Sequence, residues 1–136
     1  MTDATKLIAG ILLISVPTIE FGGTFLLSVL SGKHSELTEF QRSMFRAGHA
    51  HAGVLVILAL VAQLFTDQAS LSAPIGWAVR IGFAAAPLLV SGGFFGAAIG
   101  RGRTRQGPLI ALLWSGVFAL GGSLIVLGVA LIQVRG

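Results

Sequence analysis

Four stretches of this 136-residue chain are nearly free of charge, and each is about as long as a membrane-spanning helix. They cover residues 7–31, 47–65, 81–99 and 109–132. In hydrocarbon no water is present to satisfy N–H and C=O groups, so a segment that crosses must bond its backbone internally. This limits the chain to an all-α fold, a polytopic membrane protein built as a four-transmembrane-helix bundle. The whole of residues 1–136 forms one transmembrane domain in this reading. Composition agrees, with 54% hydrophobic and only 10% charged residues, against about 25% charged in an average soluble domain. Disorder is excluded by the same figures. A disulfide scaffold and a cysteine zinc site are excluded because Cys is absent.

The breaks between the runs carry turn chemistry. Gly32, Lys33, His34 and Ser35 end the first span; Thr66, Asp67 and Gln68 end the second. Pro74 precedes the third, and a polar run from Arg101 to Pro108 separates the last two. Thr38 and Gln41 have the spacing of a capping box, which predicts that the second helix starts near Thr38 and projects past the hydrocarbon. Lys6 lies before the first apolar run as in a signal peptide, but Glu20 in its middle favours a retained spanning helix.

The net charge of +4 does not point to nucleic acid, because the cations stand at the edges of apolar runs, where they anchor a chain to a lipid bilayer. Lys33, Arg42, Arg46, Arg101, Arg103 and Arg105 fall on one side; Lys6, Arg80 and Arg135 fall on the other. The bias places loops one and three in the cytoplasm and both termini outside, as in a bacterial inner-membrane protein. Trp77 and Trp114 fit an aromatic belt at the interfaces.

A repeat with an offset of 70 residues relates Pro17, Gly22 and Gly23 to Pro87, Gly92 and Gly93. It suggests a duplicated helical hairpin, with the two hairpins parallel about an axis along the membrane normal. The plainer reading is that Pro and paired Gly are common in spanning helices. Either way, Pro17 and Pro87 are expected to kink their helices and the glycines to allow close approach.

Two places carry groups that lipid does not favour. Glu20 stands 14 residues from Lys6 and 13 from Lys33, near the bilayer midplane. A carboxylate there faces protein or a cavity, or is protonated. It is a candidate for proton relay, cation binding or substrate contact; a structural hydrogen bond to a neighbouring helix is the simpler role. The start of the second span holds Arg42, Arg46, His49 and Gly53 at the spacing of one helical face. His51 lies about 200° around the helix from His49, so one helix does not readily give both imidazoles to one metal. Ala47, Gly48, Ala50, Ala52 and Gly53 leave room for something flat. A haem with its iron on His and its propionates near Arg46 fits this pattern. A pair of interfacial histidines bonded to backbone or headgroups fits it as well. Zinc fits less well, with three His in all and His34 in a loop.

The segment Arg46-Ala47-Gly48-His49-Ala50-His51-Ala52-Gly53 resembles the second span of the styrene oxide isomerase family. Thr18, Phe21, Gly22, Ser31 and Gly32 resemble its first span. The likeness is distant. It covers most of the chain in architecture but only about a dozen residues in motif. That family consists of small four-span membrane enzymes that bind haem b and assemble as trimers. The resemblance implies haem b with His51 as the metal ligand and His49 as the alternative. Arg46 and Gly53 would line the cofactor, and a homotrimer would act on a small hydrophobic molecule such as an epoxide. It also makes Phe94 and Phe95 candidate catalytic positions, although the Phe pair alone reads as pocket wall. Glu20, an addition to the family pattern, is the third candidate catalytic position on its own midplane placement. The family's Asn and Tyr are not matched: Ile57 and Phe94 or Phe95 stand in their places, and the chain has neither Asn nor Tyr.

Two other functions follow from other features. Four spans with Glu20 midway through the first resemble the small multidrug resistance transporters, which exchange protons for lipophilic cations. The glycine-rich helices also suit an accessory subunit of a larger membrane complex. No phosphate loop and no serine nucleophile elbow is present.

Overall fold

The computed structural model describes residues 1–134. It contains four helices, α1 (Asp3–Leu30), α2 (Glu39–Gln68), α3 (Ala73–Ala97) and α4 (Ile110–Gln133). All four are long and apolar enough to cross a membrane, and no strand occurs among the described residues. This is the all-helical four-helix bundle expected of a chain whose apolar runs match a bilayer. Arg135, counted above with the outer side, lies outside the described residues.

The helix ends show where the expectation needs correcting. α2 begins where Thr38 predicts: its hydroxyl accepts from the Gln41 backbone, while the Gln41 side chain accepts from the Thr38 N–H. With 30 residues α2 is about 45 Å long. Thr66, Asp67 and Gln68 form its last turn and are not a break. α3 starts at Ala73, well before residue 81, and takes Pro74 into its first turn. A proline there gives up an N–H that has no helical partner anyway. Pro17 and Pro87 lie inside unbroken helices.

Successive helices run antiparallel. α3 packs along both α2 and α4, α1 lies on α2, and α1 and α4 make no close backbone approach. The α3–α4 seam is built on glycine. A methyl at Gly93 would run into the backbone of Leu113, one at Gly82 into Ser123, and one at Gly116 into Leu89 and Val90. Such absences let two backbones meet where lipid gives no hydrophobic drive for association. Gly121, Gly122 and Gly128 on α4 meet nothing within 4 Å. Phe25 and Phe95 each place a ring 5.9 Å from Phe45 on α2. A complete twofold bundle would also pair α4 with α1, and that contact is missing.

The core is fastened at both ends by polar groups. At one end Arg80, 6% exposed, points into the bundle. Its guanidinium donates to Asp67 Oδ1 at 2.6 Å, to Thr5 Oγ1 at 2.6 Å and to the Gln63 carbonyl at 3.2 Å. Asp67 also accepts from the Thr2 N–H at 3.0 Å and from the Thr5 hydroxyl at 2.7 Å. Arg80 and Asp67 therefore clasp α1, α2 and α3 together. Their sequence reading as a flanking cation and a helix stop is corrected: α3 starts early enough to carry Arg80 about two turns into the helix. At the other end Gln41 Nε2 donates to the carbonyls of Ala98 and Gly100 at 2.9 and 2.7 Å. The Thr38 hydroxyl donates to the Arg103 carbonyl. The arginine-bearing loop is thus tied to the start of α2.

Two outcomes are expected. Gly93→Val destabilises the bundle by about 1–3 kcal/mol, whereas Gly121→Val is close to neutral; reversible unfolding in mixed micelles measures both. Asp67→Ala strands the Arg80 charge and costs about 3–5 kcal/mol. The double change Arg80→Met with Asp67→Leu costs much less, because it removes both charges together.

Candidate functional site

Every helical residue turns the side-chain direction by about 100°, so His49 and His51 leave α2 on different sides. His51 lies on the exposed outer surface. Its Nδ1 is 2.7 Å from the carbonyl oxygen of Ala47, one turn back. A carbonyl only accepts, so the proton is on Nδ1 and the lone pair is on Nε2. The ring lies against Phe94 of α3, with centroids 4.9 Å apart. Arg46 is exposed as well, about 7.5 Å nearer the loop end of α2.

His49 turns the other way and is half-buried against α1. Gly22 and Gly23 make room for it. A methyl on Gly23 would stand 3.2 Å from His49 Cε1 and 3.3 Å from Nε2; one on Gly22 would stand 3.7 Å from Nδ1. The ring forms part of the wall of a groove between α1, α2 and α3 with a volume of about 380 Å³. Gly92, Ser91, Pro87 and Phe95 line it from α3. Phe95, Phe45 and Phe25 then form an aromatic chain that ends on His34, 5.5 Å from Phe25. In that loop His34 Nδ1 is 3.4 Å from Glu36 Oε1. The backbone N–H of Glu36, and then His34, hold this exposed carboxyl below its ordinary value.

The candidate residues therefore separate into two groups. His51 and Phe94 stand together on the outside of α2, while His49 and Phe95 stand together in the groove. Phe94 and Phe95 present only rings, so they can pack a ligand but cannot donate to one. Gly53 has nothing within 4 Å of its missing side chain and remains an open position. Gly48 is not open. Phe95 ring atoms lie 3.1 Å and Phe94 Cβ 3.2 Å from where its side chain would begin. The space expected there for a flat group is filled by α3. Glu20 is exposed on α1, is not part of the groove wall, and makes no side-chain hydrogen bond or ion pair among the described residues.

Among the described residues no three His, Cys, Asp or Glu side chains come together as a metal site. A metal held here would have to bring most of its own ligands. Ser91 escaped the sequence reading. Its hydroxyl is buried and has no hydrogen-bond partner. No sequence signal marks it, since a serine in a spanning helix ordinarily bonds back to its own helix. No family model, curated protein or solved structure matches the chain.

Proposed function

We propose that the protein is a haem b-binding integral membrane protein with His51 as the axial ligand. The observation that carries this reading is the bond from His51 Nδ1 to the Ala47 carbonyl. Imidazoles that bind metals almost always donate their other N–H to a carbonyl or carboxylate, which fixes the ring and raises the basicity of the ligating nitrogen. Haem suits a lone imidazole because the porphyrin supplies the remaining in-plane nitrogens. Two features suit such a group: an exposed ligand with its lone pair on Nε2, and Phe94 beside it. Arg46 stands about 140° around α2 from His51, on the His49 face, and does not share its side. When bound, haem iron would supply Lewis acidity toward the oxygen of a small apolar epoxide. His51 would hold it, and the apolar surround would exclude water. With Ile57 and Phe94 in place of the family's polar groups, the chain offers little to orient that oxygen.

The exposed position of Glu20 supports a homo-oligomer. A carboxylate facing hydrocarbon at mid-depth is costly, and a second copy covering α1 would remove it from lipid. The resemblance makes that oligomer a trimer. The cation bias supports loops one and three in the cytoplasm of a bacterial inner membrane.

The test is the visible spectrum of the detergent-purified chain after haem supplementation. Wild type and His49→Ala are expected to show a Soret band, and His51→Ala to lose it by more than about tenfold. A wild type without the band, or a band unchanged in His51→Ala, overturns the assignment. Native mass spectrometry is expected to give three chains; a monomer removes the oligomer.

A further inference from the structure

The groove that holds His49 has properties that neither helix packing nor a haem at His51 accounts for. It lies on the opposite side of α2 from His51, and His51 is not in its wall. Its volume of about 380 Å³ is within the range of small-molecule sites. No charged residue lines it. Ile11, Ile19, Val56 and Leu88 make most of its surface apolar. An ion would find no counter-charge there, so its occupant is uncharged.

Ser91 makes the groove more than a gap between helices. It is 5% exposed, lines the groove, and its Oγ has no partner. Several other hydroxyls on these helices are satisfied locally, although Thr18 in the groove wall makes no side-chain hydrogen bond among the described residues. Ser15, also in the groove wall, donates to the Leu12 carbonyl at 2.7 Å. Thr24, Ser28, Thr66 and Ser115 likewise donate to carbonyls of their own helices. A buried hydroxyl without a partner in the wall of a cavity is a donor still to be satisfied. Ser91 Oγ is itself covered, and a turn about its Cα–Cβ bond brings it to the groove surface. His49 adds a second polar edge, and it too has no side-chain hydrogen bond among the described residues. Gly92 keeps the groove wide: a methyl there would meet nothing within 4 Å.

We infer that this groove binds a small, uncharged, mostly apolar molecule through a carbonyl oxygen, which accepts a hydrogen bond from Ser91 and lies beside His49. The site is independent of haem binding, because it stands on the other face of α2 and uses neither His51 nor Arg46.

Benzophenone is a suitable probe, having two rings, one carbonyl oxygen and no charge. On illumination it attaches to C–H bonds nearby. The full chain in detergent is photolabelled and the attachment sites are mapped by peptide mass spectrometry. Labelling is expected on the groove-facing residues of α1 and α3. Gly92→Leu fills the groove and is expected to remove most of that labelling. Gly121→Leu, whose site lies open on α4 away from the groove, is expected to leave it unchanged. Circular dichroism confirms that both variants are folded. Ser91→Ala is expected to raise the half-saturating benzophenone concentration roughly two- to tenfold. Diphenylmethane, which lacks the oxygen, is expected to compete more weakly than benzophenone in wild type and equally well in Ser91→Ala. Labelling spread over the lipid-facing surface and indifferent to Gly92→Leu overturns the site. Labelling confined to the groove but indifferent to Ser91→Ala, with diphenylmethane an equal competitor, overturns the carbonyl contact and leaves a groove filled by hydrocarbon such as a lipid chain.

Discussion

The Arg80–Asp67 pair is the interaction on which the rest of the arrangement depends. A guanidinium and a carboxylate inside a small apolar bundle are each costly alone, and together they are tolerable only if their remaining hydrogen-bonding positions are filled. Thr2, Thr5 and Gln63 fill them. Because these groups come from α1, α2 and α3, satisfying one ion pair fixes three helix ends in register. The opposite end is held by Gln41 and Thr38 on the loop before α4. With both ends fastened, the middle of the α1–α2–α3 assembly can stay loosely filled. That is where the groove lies.

Glycine governs what happens between the fastened ends. Where α3 meets α4, Gly82, Gly93 and Gly116 bring backbones into contact. Where α1 meets α2, Gly22 and Gly23 receive an imidazole instead. Facing the groove, Gly92 is met by nothing. The same residue type thus serves close packing, accommodation of a side chain and preservation of space. The two histidines divide along the same line. His49 is enclosed by α1, whereas His51 is turned outward with its proton fixed by its own helix.

Much of this architecture is legible in the residues alone, for a physical reason. Lipid forces the backbone to bond within each span, so a run of apolar residues of bilayer length has few alternatives. The capping box at Thr38 is local chemistry and was readable for that reason. The divergence of His49 and His51 follows from helical geometry. Which of them turns inward does not, because that depends on where α1 packs. Arg80 was misread because a cation in such a chain is ordinarily an edge marker, and its partner Asp67 is on another helix. The early start of α3 was hidden because Pro74 looks like a break but is tolerated in a first turn. Small residues at Gly48 suggested space for a ligand, and only the packing reveals that Phe94 and Phe95 occupy it.

The account turns on α2 presenting two imidazoles on different sides, His51 with its proton held on Nδ1 by its own helix and His49 facing the groove. Nitrogen NMR of the haem-free protein prepared with ¹⁵N-labelled histidine tests this most directly, with His49→Gln and His51→Gln spectra giving the assignments. The account predicts that neutral His51 carries its proton on Nδ1 and shows an unprotonated Nε2. A His51 protonated on Nε2, with Nδ1 bare, would contradict it.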